Sequence, residues 1–211
     1  MEKKFTKFSV PLGLLDYINP ILYTVTMATI LCHTRGEMPP LYWHLMHAGA
    51  VISIIAGFAI PTGKVLVGLE VIRFRMPVSL VFCVNAGILV SGLMLFRFVT
   101  CLSPVVTVIL FGLIAAFLAL VYRKQKKLNT IAVLTGAFGY LLLYASLITL
   151  AVRGGIVLPV VLYALAILLF VMLCGIGIRA DLKNPKVHWV IEASNVLCQL
   201  LVAVGTLILY S

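Results

Sequence analysis

Residues 102–122 read LSPVVTVILFGLIAAFLALVY, and residues 123–129 read RKQKKLN. The first stretch carries no charge. The second packs four cations, Arg123, Lys124, Lys126 and Lys127, into five positions. A helix needs about 20 consecutive apolar residues to cross ~30 Å of hydrocarbon. Residues 102–122 meet that length, and an abrupt basic turn ends them.

Six further runs of similar length lie outward from this one: Leu12–His33, Leu41–Ile60, Met76–Phe96, Thr130–Val152, Ile156–Ile178 and Val187–Tyr210. Short polar or Gly/Pro-bearing connections separate them. A β-barrel would show alternation over ~10-residue segments. These runs are continuous, so they predict helices, which satisfy their own backbone groups in lipid. The expected fold is an all-α polytopic membrane protein with seven transmembrane helices, one helical-bundle domain over residues 1–211. No cleavable signal peptide or lipidation motif is expected.

Composition agrees. The chain has 211 residues, 63% hydrophobic and 10% charged, and a mean hydropathy of +1.19. Soluble domains carry roughly a quarter charged residues, so a soluble, disordered or disulfide-scaffold protein is excluded. Five cysteines with no C-x-x-C pair argue against a redox or zinc motif. Cys83, Cys174 and Cys198 read as buried small hydrophobes.

The net charge of +10 is topological. Of 16 basic residues, 13 fall on alternate connections: Lys3, Lys4, Lys7; Lys64, Arg73, Arg75; Arg123, Lys124, Lys126, Lys127; Arg179, Lys183, Lys186. Only Arg35, Arg97 and Arg153 fall on the other side. The positive-inside rule then puts the N-terminus in the cytoplasm and the C-terminus outside. The compact chain and short loops suit a bacterial plasma membrane. Pro61–Arg75, too charged to span and too apolar for an open loop, reads as an interfacial segment on the cytoplasmic surface. The alternative is an extended end of the third helix. No lysine is expected inside any span.

Spans three and seven share a faint pattern, Pro77 then Asn85 and Pro185 then Asn195. It would fit a 3+1+3 arrangement with a parallel repeat, an architecture known among transporters.

Two of the six acids, Asp16 and Glu192, fall inside spans, where an ionisable group is costly and reads first as functional. In the last span His188, Glu192, Asn195 and Gln199 lie within about 60° of one another on a helix. This polar stripe reads as a pathway wall, or as interhelical glue. In the first span Asp16, Asn19 and Tyr23 share a face, with Thr26 beyond them. Pro20 removes the donor to the Asp16 carbonyl, so a kink is expected there. The competing reading makes Asn19-Pro20 a cap and first turn. Asn85 lies at mid-depth in the third span. If spans one, three and seven are neighbours, these groups form one site in the cytoplasmic half.

At the opposite side, His33, Glu37, His44 and His47 could supply nitrogen and oxygen ligands to a divalent metal. The competing reading is a membrane-surface belt with Tyr42 and Trp43. Cys83, Gly87 and Ser91 repeat every four residues, as in close helix contacts. The cluster Arg123, Lys124, Lys126 and Lys127 fits anionic lipid headgroups. Nucleic acid is excluded as a partner, because the cluster is short and lacks aromatic interleaving. No cofactor is implied.

Three functions fit these features. The first is a small transporter, or the membrane subunit of one, for a polar solute or cation. The second is an intramembrane enzyme acting on lipid, with Glu192 and His188 as acid and base. The third is an assembly or regulatory protein without catalysis.

Overall fold

A computed structural model describes residues 9–72, 77–179 and 185–211. The helices are α1 (Val10–Asp16), α2 (Ile18–Thr34), α3 (Pro40–Gly68), α4 (Val78–Thr100), α5 (Pro104–Gln125), α6 (Leu128–Arg153), α7 (Val157–Arg179) and α8 (Pro185–Leu209). α1 and α2 together form one 25-residue unit. With it, seven helical units among the described residues are long and apolar enough to cross a membrane.

The break between α1 and α2 falls at Tyr17. Its backbone stays helical (φ −63°, ψ −25°). Its N–H bonds to the Leu14 carbonyl at 3.3 Å, a tightened turn. Pro20 lies one turn later and cannot donate to the Asp16 carbonyl. The first span is therefore kinked and continuous, and Asp16 stands at the kink.

Packing order follows a closed ring: α1/α2 against α3, α3 against α4, α4 against α6, α6 against α7, α7 against α8, and α8 back against α2. α5 stands outside this ring and packs on α6. Only Thr107 and Ile114 of α5 are buried. A large apolar outer surface is expected for helices solvated by lipid.

Close approaches at small residues hold the ring's tightest seams. A Cβ on Gly49 would lie 2.7 Å from the Gly87 carbonyl oxygen and from Ser91 Oγ, so α3 and α4 touch backbone to backbone. A Cβ on Gly139 would lie 2.6 Å from the Leu89 nitrogen, which seats α6 against α4 in the same way. Ser53 and Ser91 donate across the first seam to the Val84 and Met46 carbonyls, at 2.8 and 3.1 Å. Of the expected stripe, Gly87 and Ser91 face the seam, whereas Cys83 is exposed on the bundle's outer surface. Cys198 is buried and donates to the Ala166 carbonyl at 3.3 Å.

The expectation for Pro61–Arg75 needs correction. α3 runs through Pro61 to Gly68, so the first part of this segment extends the second span. It neither lies on the surface nor belongs to the third helix. Val65, Leu66 and Val67 are half-buried. Gly13 of α1 sits against Val65, where an added Cβ would come within 2.8 Å. Leu69 and Glu70 are exposed, and Glu70 takes a left-handed φ of 60° that turns the chain away. Residues 73–76 lie outside the described residues. Consequently Lys64, counted above among the surface cations, is inside a span.

Candidate functional site

The site forms where three helices meet. Asp16 closes α1, Lys64 lies one turn before the end of α3, and Glu192 lies two turns into α8. Lys64 Nζ donates to Asp16 Oδ2 at 2.7 Å and to Glu192 Oε1 at 2.7 Å. The three side chains are 12%, 10% and 11% exposed. From the nearest helix ends at Gly68, Val10 and Pro185, the three residues lie about 6, 9 and 10 Å deep at ~1.5 Å per residue.

Among the described residues, two carboxylates, Asp16 and Glu192, face the one Lys64 ammonium in a poorly solvated place. A buried pair is tolerated only when its geometry is good and its remaining lone pairs are met. Asp16 meets this partly through Asn19, whose Nδ2 donates to Asp16 Oδ1 at 3.1 Å.

Prolines loosen the backbone beside it. Pro20 frees the Asp16 carbonyl, and Pro61, inside α3, frees the Gly57 carbonyl by the same loss of a donor. The two proline-bearing segments pack together: a Cβ on Gly57 would lie 3.3 Å from Pro20 Cβ. Tyr17 ties the same helices, with its hydroxyl 2.6 Å from Thr62 Oγ1.

Further into the bundle, polar groups continue without being fully satisfied. Asn19 Oδ1 and the Tyr23 hydroxyl are buried without a hydrogen-bond partner among the described residues. The Tyr23 hydroxyl lies near Ser53 and Ser91. Both serines are committed to backbone carbonyls, and neither completes a bond to Tyr23. Unmet buried polar atoms call for an explanation such as a bound water, ion or ligand.

The sequence stripe on α8 divides between two neighbours. Glu192 reaches Lys64 of α3. Gln199 donates to the Tyr140 hydroxyl of α6 at 2.9 Å. Asn195 between them is half-buried, and half-buried His188 lies one turn before Glu192. Asp16, Asn19 and Glu192 thus come together, with Tyr23 two turns above Asp16. Asn85 goes elsewhere: its amide packs directly against Gly136 of α6. Thr26 is buried and donates to the Leu22 carbonyl of its own helix at 3.0 Å.

Lys64 is the residue that sequence reasoning missed. Two signals pointed to it. Val65–Val67 continue the apolar pattern past Pro61, and two intramembrane acids require a cation.

The opposite end of the bundle is differently built. Among the described residues no three His, Cys, Asp or Glu side chains gather as a metal site. His33 stacks on Tyr210 with ring centroids 4.5 Å apart, and its Nδ1 lies 2.8 Å from the Thr29 carbonyl oxygen. His44 and His47 pack on Trp43 at 5.3 and 5.1 Å, and Trp43 Nε1 donates to the Leu31 carbonyl at 3.1 Å. The Arg97 guanidinium lies 3.4 Å from the Tyr42 ring centre, a cation–π contact. Tyr210, just beyond the last span, has its phenol pushed up to about 12, first by burial and then by the charge of Glu37.

Comparison with protein-family models, with curated proteins and with solved structures finds no match.

Proposed function

We propose that this multi-pass membrane protein is a transporter of a small polar solute or cation, with the Asp16–Lys64–Glu192 cluster as its charge-binding site. One observation carries the reading. The Lys64 ammonium is held at 2.7 Å by each of two carboxylates from different helices, at membrane depth. Ionisable groups at membrane depth mark ion pathways or proton relays more often than they mark packing. Here Lys64 serves as a tethered counter-cation, and an incoming proton or cationic substrate meets the same carboxylates. Asn19 Oδ1 and the Tyr23 hydroxyl, both without a partner among the described residues, offer neutral hydrogen bonds to what enters. The turns at Pro20 and Pro61 are the places where the surrounding helices can bend.

The order of packing supports the 3+1+3 reading. Matching spans one, two and three to five, six and seven sends every neighbouring pair in the ring onto another neighbouring pair. The fourth span is left outside as the link. The charge asymmetry supports a cytoplasmic N-terminus, which would open the site to the cytoplasmic side, and the compact chain and short loops suit a bacterial plasma membrane. The enzyme reading has less support, because Glu192 is hydrogen-bonded to Lys64.

The test is flux through purified protein in sealed vesicles. A pH-sensitive dye is trapped inside, and sodium, potassium, ammonium and methylammonium gradients are imposed in turn. At least one gradient is expected to move protons or cations faster than in protein-free vesicles. Indistinguishable traces for the whole panel, including without an imposed gradient, would remove the cation and proton reading.

A further inference from the structure

Outside the ring, α5 and α4 both lean on α6 and leave a gap between them. The gap is a cavity of about 340 Å³, lined by Phe82 and Ala86 of α4, Phe111, Ala115 and Tyr122 of α5, and Ile131 of α6. It is open to the surroundings: Phe82, Phe111 and Tyr122 are 45%, 46% and 44% exposed. Thr135, which also borders it, spends its hydroxyl on the Ile131 carbonyl at 2.8 Å. The walls therefore offer a polar ligand almost nothing. From Phe111 to Tyr122 the groove runs about 16 Å at ~1.5 Å per residue. That is close to half of the ~30 Å hydrocarbon thickness, the depth of one leaflet.

Charge is concentrated at one end of this groove. Tyr122 immediately precedes Arg123, and Ile131 follows Lys127 by one helical turn. Between them lie Arg123, Lys124, Lys126 and Lys127, all exposed. None of the four forms an ion pair among the described residues. Lys126 takes a left-handed φ of 50° and closes α5 there, which holds the basic turn at the mouth of the groove.

We propose that the groove is a binding site for an anionic phospholipid, with one acyl chain between α4 and α5 and the phosphate on the basic turn. A neutral lipid would use the groove and leave four cations without a counter-charge. A purely topogenic cluster would explain the cations and leave the groove empty. An anionic lipid uses both. The site is separate from the Asp16–Lys64–Glu192 cluster and shares no residue with it.

The experiment uses the full chain in detergent, incubated with phosphatidylglycerol or phosphatidylcholine of identical acyl chains, with bound lipid counted by native mass spectrometry. Wild type is expected to retain phosphatidylglycerol preferentially, by about fivefold for each basic residue engaged. Lys126→Gln together with Lys127→Gln should reduce that preference by roughly 25-fold on the same basis. Ala115→Trp, which fills the groove, should lower retention of both lipids, and Leu113→Trp, at a 63% exposed position, should not. Ala86→Leu repeats the filling from the α4 side if Ala115→Trp does not fold. Equal retention of the two lipids by wild type would overturn the proposal, and so would unchanged phosphatidylglycerol binding in the filled variants. A dimer that becomes a monomer on filling the groove would also overturn it, by assigning the groove to a second copy of this chain.

Discussion

Replacing Lys64 by Met removes the ammonium and keeps much of the side-chain volume. Each carboxylate oxygen lies 2.7 Å from Nζ, so the two oxygens are at most about twice that, 5.4 Å, apart. At that distance two unit charges repel by about 3 kcal/mol with an effective dielectric constant of 20. Removing one partner of a buried ion pair costs about 3–5 kcal/mol by experience with other proteins, which agrees in size. Each kcal/mol moves the midpoint of a domain this long by about 2–4 °C. Lys64→Met should therefore melt roughly 6–20 °C below wild type. The sharper expectation is the rescue. Adding Asp16→Asn and Glu192→Gln removes the stranded charges, and a neutral replacement of a buried pair is often close to neutral in stability. The triple variant should regain most of the loss. Thermal unfolding followed by intrinsic fluorescence in one detergent reads both steps. A Lys64→Met midpoint within 2 °C of wild type would refute the reasoning, as would a triple variant no more stable than the single one.

Other outcomes separate function from packing. Tyr23→Phe deletes a buried hydroxyl that has no hydrogen-bond partner among the described residues, and an unmet buried group costs about 1–3 kcal/mol. The variant should melt at or above the wild-type temperature while vesicle flux falls. Gly139→Leu forces a side chain into the α4 backbone. Overpacking of this kind costs typically 1–3 kcal/mol or more, so the variant should lose its monodisperse peak on size exclusion. Tyr210 gives a pH signature. An unfolded phenol ionises near pH 10, whereas folded Tyr210 waits until about 12. The unfolded chain therefore releases its proton first, and this residue's contribution to stability declines as pH rises from about 10 to 12 and is steady below. Subtracting a Tyr210→Phe tyrosinate titration at 295 nm from that of wild type should isolate a transition near pH 12. A difference curve centred near pH 10 would contradict it.

Span number was readable because apolar length and basic punctuation are one-dimensional signals, and both survive folding unchanged. Asp16 and Glu192 stood out for the same reason: acids are scarce and their depth follows from position. Azimuth was harder. The stripe from His188 to Gln199 does occupy one face, but that face meets α1 and α3 low down and α6 higher up. Its members consequently serve different neighbours. Asn85 has the expected depth and faces α6, because Gly136 leaves space there for its amide. Lys64 escaped notice because Leu41–Ile60 already suffices to span, and Pro61 reads as a stop. In a packed bundle an internal proline is tolerated when neighbours compensate the lost bond, and the helix carries on for seven residues more. A lysine there looks like a surface charge until its two partners are known.

The account's central claim is that the Asp16–Lys64–Glu192 cluster moves charge and does more than hold helices together. Glu192→Gln tests it most directly, measured as vesicle flux per unit of folded protein, with folding read from melting and size exclusion on the same preparation. A folded Glu192→Gln variant with its flux abolished is the expected result. Wild-type flux in that variant, or a loss only in proportion to unfolded protein, would contradict the claim.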